Sequence, residues 1–380
     1  MISRLLWHLA KARRLKQILP KSVKRPLRRF LPLRIYDPLR WLAEDPYADV
    51  EEVSTYPARV NVRLGIIKEF TRLHSNYIGA CRELGVPYTV LDISGPDWIG
   101  VVENSGCDAF LVWPSGLLTA WKQMYDDRLK IMVDELGKII YPTYDELWVW
   151  ESKRRMHYWL KANNIPHPRT WVFYNRFEAM EFAESAELPI VYKADLGATA
   201  MGVRILRNSS KAKRLINRCF KKGIVRKGGD KRDKQWGSVL FQEYLLNVTE
   251  WRILRLGNSY FGHQKLKRGD FHSGSGETGW YDPPKKLLDF ARNVTEKGGF
   301  TSMDLDIFET IDGRYLINEL QSLFGSHLPY QMLVNDKPGR YIYEPLSDRW
   351  IFEQGVFCRN ASCNLRVEAL LEVLGKPLRL

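Results

Sequence analysis

From residue 62 onward the apolar positions fall into short runs separated by stripes at helical spacing. Strands are predicted over 62–67, 88–93, 108–113 and 138–141, with helices over 72–84, 98–105 and 121–136 between them. Gly85 and Pro87 stop the first of these helices. Strand and helix in alternation predict a parallel sheet covered by helices. No GxGxxG follows the first strand, so a dinucleotide fingerprint is absent. This domain is expected to shape a substrate cleft.

After residue 146 the pattern changes. Residues 151–163, ESKRRMHYWLKAN, predict a strongly amphipathic helix stopped by Asn164 and Pro166. A strand over 171–174, a helix over 177–186 and a strand over 190–193 follow, the last running into ADLGATAMG. Small residues after a strand let backbone N–H groups approach phosphate oxygens, and Lys193 adds a point charge; a plain loop is the alternative. Next come a strand over 203–206, a helix over 212–220 and a charged loop over 221–237. A strand over 238–245 ends in Gln242, Glu243, Tyr244 and Leu245, and Glu250, Arg252 and Leu254 alternate on the next. A strand over 260–265 leads to a loop over 267–277 rich in donors, including His272, Ser273 and Ser275, and then to a helix over 283–297.

The stretch 303–322, MDLDIFETIDGRYLINELQS, predicts a hairpin turning at Asp312-Gly313. A two-residue turn there sets Asp306 opposite Glu319 and Asp304 opposite Gln321. A period of two puts these four on one face, with Leu305, Ile307 and Leu320 on the other. Opposed carboxylates repel, so the arrangement wants a cation between them, and an oxygen-rich set suits Mg²⁺ or Mn²⁺. The alternative is a solvated strand face whose acids are merely exposed.

Composition alters this picture at one end. The 380 residues allow two or three domains at about 150 residues each. With 45% hydrophobic and 12% aromatic residues they can bury a sizeable core. The formal charge of +14 is concentrated: residues 1–40 carry twelve Lys or Arg against Asp37, a surplus of 11 that leaves only 3 for the rest. Ile2, Leu5, Leu6 and Leu9 share a helical face in this arm, and Pro20, Pro26 and Pro32 punctuate its basic continuation. A membrane-surface arm is the favoured reading, with a transit peptide or a solvated or partner-binding arm as alternatives. Trp7, Phe30, Tyr36 and Trp41 interleave too thinly for base stacking, so no nucleic-acid partner is expected. Five scattered cysteines without CxxC spacing favour a reducing, cytoplasmic setting and give no zinc signal. No apolar run approaches the roughly 20 residues of a membrane span.

The ordered set of Lys153 on its helix, Ile165-Pro166, Lys193 with its loop, the QEYL run at 242–245, and the Asp306/Glu319 hairpin resembles the ATP-grasp ligases. It is most similar to the branch containing the ribosomal-protein glutamate ligase, over residues 60–330. The resemblance implies a fold of α/β and α+β character: a basic arm over 1–45, a parallel pre-ATP-grasp domain over 60–145, an ATP-grasp domain over 146–335 divided at 237/238, and an extension over 336–380. It implies that Lys153 and Lys193 meet ATP phosphates and the adenine side, that Gly197, Ala198, Thr199 and Gly202 belong to the closing phosphate loop, and that Gln242, Glu243, Tyr244 and Leu245 read adenine. It places Glu250 at the ribose, Arg252, Lys265 and Arg268 at the transferring phosphoryl group, and Asp306, Glu319 and Gln321 at Mg²⁺ or Mn²⁺. Two departures stand out: Gln321 replaces the usual Asn, and the phosphate loop is poor in glycine.

The activity so implied is an ADP-forming carboxylate–amine ligase acting through an acyl phosphate. Its substrates would be an acidic cell-surface glycan or peptide precursor and an amine, with the acceptor site between the first domain and the loop at 267–277. The enzyme would work in the cytoplasm, peripheral to the inner face of a membrane. The alternative is a non-catalytic ATP-binding scaffold or regulator. Trp350, Phe352, Phe357 and an apolar helix over 365–374 are expected to pack on the body or on a partner chain.

Overall fold

The computed structural model describes residues 52–116, 118–197, 202–225, 231–267, 269, 277–324 and 328–378. The basic arm expected over 1–45 lies outside the described residues. The chain forms two compact units, divided between Ile140 and Tyr141.

In the first unit β1 (Leu64–Ile67) pairs in parallel with both β2 (Tyr88–Leu91) and β3 (Ala109–Leu111). The two-residue β4 (Ile140–Tyr141) adjoins β3 at the junction with the second unit. Helices α1 (Ser75–Leu84), α2 (Trp98–Glu103) and α3 (Thr119–Asp134) make the connections. Every residue of β1 is buried, the signature of a parallel strand covered on both faces. Helix α1 ends at Gly85 in the left-handed conformation, φ 68°, the usual glycine stop.

The second unit begins earlier than the expected boundary at 145/146. Tyr141 donates its hydroxyl to the Thr301 carbonyl at 3.1 Å. Helix α4 (Tyr144–Val149) opens with a capping box between Thr143 and Glu146. The fully buried Glu146 carboxylate also accepts the backbone N–H groups of Thr301 at 2.6 Å and Ser302 at 2.5 Å. These bonds tie α4 to the start of the hairpin, so the segment belongs with it. After α4 come α5 (Lys153–Ala162), β5 (Thr170–Phe173), α6 (Arg176–Ser185), β6 (Ile190–Lys193), β7 (Val203–Leu206) and α7 (Ser209–Lys221). A small two-stranded sheet, β8 (Ile224–Val225) with β9 (Lys234–Gln235), precedes β10 (Val239–Glu243).

Strand β10 pairs antiparallel with both β5 and β6, giving a four-stranded sheet in the order β5-β10-β6-β7. The division expected at 237/238 therefore falls after β10, because Val239 and Phe241 complete the apolar core of this small sheet with Ile190, Tyr192, Leu215 and Ile216. A larger antiparallel sheet contains β11 (Thr249–Leu256), β12 (Ser259–Lys265), β13 (Thr278–Gly279), β14 (Ser302–Glu309), β15 (Tyr315–Gln321), β16 (Leu333–Val334), β17 (Lys337–Glu344) and β18 (Arg349–Gln354). Helices α8 (Lys285–Lys297) and α9 (Arg359–Val373) also belong to this unit. Its core gathers Met156 and Leu160 of α5, Leu287 and Leu288 of α8, and Met303, Leu305 and Ile307 of β14. The stretch 336–380, expected as an extension, joins the same sheet because Ser259 and Tyr260 pair with Ile342 and Tyr341. No helix among the described residues is long and apolar enough to cross a membrane.

The hairpin reaches its expected register by another route. Thr310 and Arg314 close a three-residue loop of Ile311, Asp312 and Gly313, with Gly313 left-handed at φ 77°. That loop alone would shift the acids by one residue. An extra residue in β15, Asn318, restores the register, so Asp306 does face Glu319 and Asp304 does face Gln321.

Replacing Glu146 by Gln leaves one amide NH₂ facing backbone donors, which is expected to destabilise the second unit by about 2 kcal/mol. Urea unfolding followed by tryptophan fluorescence checks this, and an unchanged midpoint would contradict the assigned role.

Candidate functional site

Two lysines arrive at the site from elements locked together at their ends. Lys153 is the first residue of α5, whose N-cap Ser152 accepts the Arg155 N–H. Asp195, just beyond β6, accepts from the Ser152 hydroxyl at 3.0 Å and the Arg154 N–H at 2.9 Å, and pairs with the Arg154 guanidinium at 2.7 Å. Glu151 accepts the Gly197 N–H at 3.0 Å. The start of the small-residue loop is thus fastened to the N-terminus of α5, which holds Lys153 and Lys193 side by side. Gly202 closes the loop: its carbonyl accepts the Ala194 N–H, and a Cβ there would stand 2.6 Å from Ala194 Cβ.

The two lysines meet β15. Lys153 Nζ lies 3.3 Å from Glu319 Oε1 and donates to the Gly197 carbonyl at 2.7 Å. Lys193 donates to Asn318 Oδ1 at 2.7 Å. Across the sheet, Asp306 takes Arg252 Nε at 3.0 Å on one oxygen and Lys265 Nζ at 2.6 Å on the other. Lys265 also reaches Glu250 at 2.6 Å, and Arg252 reaches Asp304 at 3.1 Å. Four acids and four bases therefore share one buried cluster in the second unit.

Their ionisation is set by this company. Burial would raise Asp306, but Arg252 and Lys265 hold it well below the ordinary carboxylate range. Burial, with the like charge of Asp306, pushes Asp304 up, and its Oδ1 is buried with no hydrogen-bond partner. Burial brings Lys193 down to about 8, with Glu319 opposing and Lys153 adding to the fall. Lys153 is raised: burial lowers it, but Glu319 and Glu151 outweigh that effect.

Beside the lysines, a narrow cavity of about 10 Å³ is lined by Met156, Leu160, Leu240 and Ile317, with His157, His167 and Gln242 among its polar groups. The two histidine rings meet edge-on at 5.3 Å, and His157 Nδ1 is buried without a partner.

No protein-family model matches the chain, and no curated protein matches it. Solved structures match its fold. N5-carboxyaminoimidazole ribonucleotide synthetase from Thermotoga maritima superposes at a TM-score of 0.51 with 15% identity, over 84% of this chain and 77% of that one. The biotin carboxylase domain of Hydrogenobacter thermophilus 2-oxoglutarate carboxylase, solved with MgADP and bicarbonate, gives 0.52 with 13% identity, over 72% and 66% respectively. The Staphylococcus aureus N5-carboxyaminoimidazole synthetase complexed with ADP gives 0.51 with 12% identity, over 75% and 83%. The chain has the ATP-grasp fold.

Within this ATP-grasp fold, Lys153, Lys193, Glu250, Arg252, Lys265, Asp306 and Glu319 converge through the contacts above. Gln321 stands opposite Asp304 at the end of β15. Gly197 joins through its carbonyl and N–H. Gln242 lines the cavity, its amide donating to Thr170 Oγ1 at 3.2 Å. The Glu243 carboxylate turns to Arg169, and Tyr244 and Leu245 lie in the link from β10 to β11. Glu250 is engaged by Lys265. Ala198, Thr199 and Arg268 lie outside the described residues, as do His272, Ser273 and Ser275.

The donor set fits a hard divalent cation. Asp306 and Glu319 face one another, Asp304 has an orphaned buried oxygen, and Gln321 offers an amide oxygen. Among the described residues no three His, Cys, Asp or Glu side chains form a metal group. Two carboxylates with substrate phosphates are the usual complement for Mg²⁺.

Sequence reasoning missed Asn318, Asp195, His157 and His167. Asn318 leaves no signal without the bulge, whereas Asp195, directly after a strand ending in lysine, is a loop residue of the kind that caps and ties.

Phosphate contact favours the ammonium form of Lys193, so the complex binds more protons than the free chain, and affinity falls as pH rises through about 8. Calorimetry with a non-hydrolysable ATP analogue is expected to show proton uptake near pH 8 and weakening of up to about tenfold per pH unit above it. Lys193→Gln removes the slope. Affinity independent of pH from 7 to 9.5 would count against this assignment.

Proposed function

We propose that the chain is an ATP-dependent, ADP-forming carboxylate–amine ligase that works through an acyl phosphate on an acidic cell-surface glycan or peptide precursor. The observation carrying this reading is the buried cluster in which Lys153, Lys193, Arg252 and Lys265 stand around Asp306 and Glu319. Cations so concentrated and desolvated suit a reaction whose transition state spreads negative charge over phosphoryl oxygens.

Lys153 and Lys193 draw the phosphates of ATP, with Gly197 beside Lys153. Gln242, Glu243, Tyr244 and Leu245, from the end of β10 onward, read the base. A substrate carboxylate oxygen attacks the γ-phosphorus; the bond to the bridging oxygen breaks and ADP leaves. Arg252 and Lys265 exchange part of their hold on Asp306 for the transferring phosphoryl oxygens. An amine nitrogen then attacks the acyl carbon, gives up a proton, and phosphate departs. Activation by phosphate makes an enzyme nucleophile unnecessary. A divalent cation held by Asp306, Glu319 and Gln321 would neutralise phosphate oxygens when bound. The basic arm of residues 1–40 suits attachment to an anionic membrane surface at the cytoplasmic side.

The test is ADP release in the presence of uronic acids or amino acids, with hydroxylamine trapping the acyl phosphate as a hydroxamate. An ATP-binding preparation in which no such carboxylate stimulates turnover would overturn the substrate proposal. Arg252→Lys and Lys265→Met are each expected to lower kcat about 10²–10³-fold with a much smaller change in ATP affinity. Wild-type kcat in both variants would contradict their assigned place at the phosphoryl group.

A further inference from the structure

The second unit carries a groove unrelated to the charge cluster. About 720 Å³ in volume, it lies at the end of α7 and is lined by Arg218, Lys221, Lys222, Lys231 and Lys234 over a floor that includes Gly223 and Val225. That volume falls in the range of ligand sites. Among the described residues no carboxylate lines it. On this unit Lys213 pairs with Glu184 and Arg340 with Glu353. None of the five groove cations pairs with a carboxylate among the described residues.

Ordinary structural roles explain part of this. Arg218 and Lys221 sit in the last turn of α7, where cations complement the helix dipole. Lys234 lies on an edge strand, where lysine guards against unwanted pairing. Lys222, the C-cap of α7, shares the dipole role; neither role accounts for Lys231, nor for the gathering of all five around one concavity. The concavity itself depends on Gly223: at φ 71° it brings β9 against the helix end, and a Cβ there would meet Lys234 Cβ at 3.0 Å. Trp236, two residues past Lys234, is 68% exposed, with its indole N–H donating to the Phe220 carbonyl at 3.0 Å.

We infer that this groove binds an acidic peptide segment of a partner protein, which adds as a strand beside β8-β9 while its carboxylates meet the lysines. The two-stranded β8-β9 sheet stands apart from the larger sheets, leaving edges where an extended chain can pair, and both strands contribute to the groove. An anionic bilayer is planar and fits a concave set of charges poorly. A nucleic acid would favour arginine forks for phosphate and several stacking rings, whereas the lining has four lysines, one arginine and no ring. This inference stands apart from the ligase reading, since binding is measured without turnover.

The experiment uses the full chain and a fluorescein-labelled deca-glutamate peptide, read by anisotropy. Lys231→Glu with Lys234→Glu is expected to weaken binding about tenfold or more, and Arg218→Gln with Lys222→Gln severalfold. The basic arm is present throughout, so the difference reports the groove. Hydrogen exchange at Ile224 and Val225 is expected to slow when the peptide is added. Unchanged peptide affinity in folded variants, confirmed by circular dichroism, would overturn the inference, and so would unaltered exchange at those amides. If the charge reversals instead weaken an oligothymidylate or phosphatidylserine vesicles while sparing the peptide, the groove serves phosphate and the proposal fails.

Discussion

Burying a charge is costly unless another charge meets it, and this constraint shapes the second unit. Asp304, Asp306, Glu250 and Glu319 have side chains at least four-fifths buried, and each has a cationic neighbour within 3.3 Å. The cations come from three places: the head of α5, the end of β6, and the neighbouring strands β11 and β12. The cluster therefore forms only when both sheets and the helix are in place. Within it Asp306 holds two cations at once. On the proposed reading such a network turns toward phosphate when one arrives.

The supports are chosen by the same logic. Asp195 and Glu151 spend their charge on the N-terminus of α5 and the first turn of the loop, where backbone N–H groups lack helical partners. Glu146 does so at the start of β14. Three acids outside the cluster thus fix the directions from which its lysines and aspartates enter.

Much of this was legible in the sequence, though unevenly. Alternation in MDLDIF and the Asp-Gly pair located the hairpin and its opposed acids. The turn itself was one residue longer than read, and Asn318 made up the difference. A bulge has no signature in hydrophobic periodicity, so the correct pairing of Asp306 with Glu319 was reached with an incorrect turn. Lys153 and Lys193 were legible through their helix start and strand end, whereas their fastening by Asp195 depends on a contact across more than forty residues. The resemblance divides the domain at 237/238, before β10, and hydrogen bonding of β10 to β5 and β6 moves the division after it. The cavity histidines could not be found by spacing, since His157 shares an amphipathic helix with its core residues and His167 follows a proline.

The central claim is that the buried cluster is a phosphate site whose cations change partners on nucleotide binding. A crystal structure with a non-hydrolysable ATP analogue and Mg²⁺ tests it most directly. The account predicts the phosphates against Lys153 and Lys193, with Arg252 and Lys265 turned at least partly from Asp306 toward the terminal phosphate. A nucleotide bound elsewhere, with the Arg252–Asp306–Lys265 contacts unchanged, would contradict it.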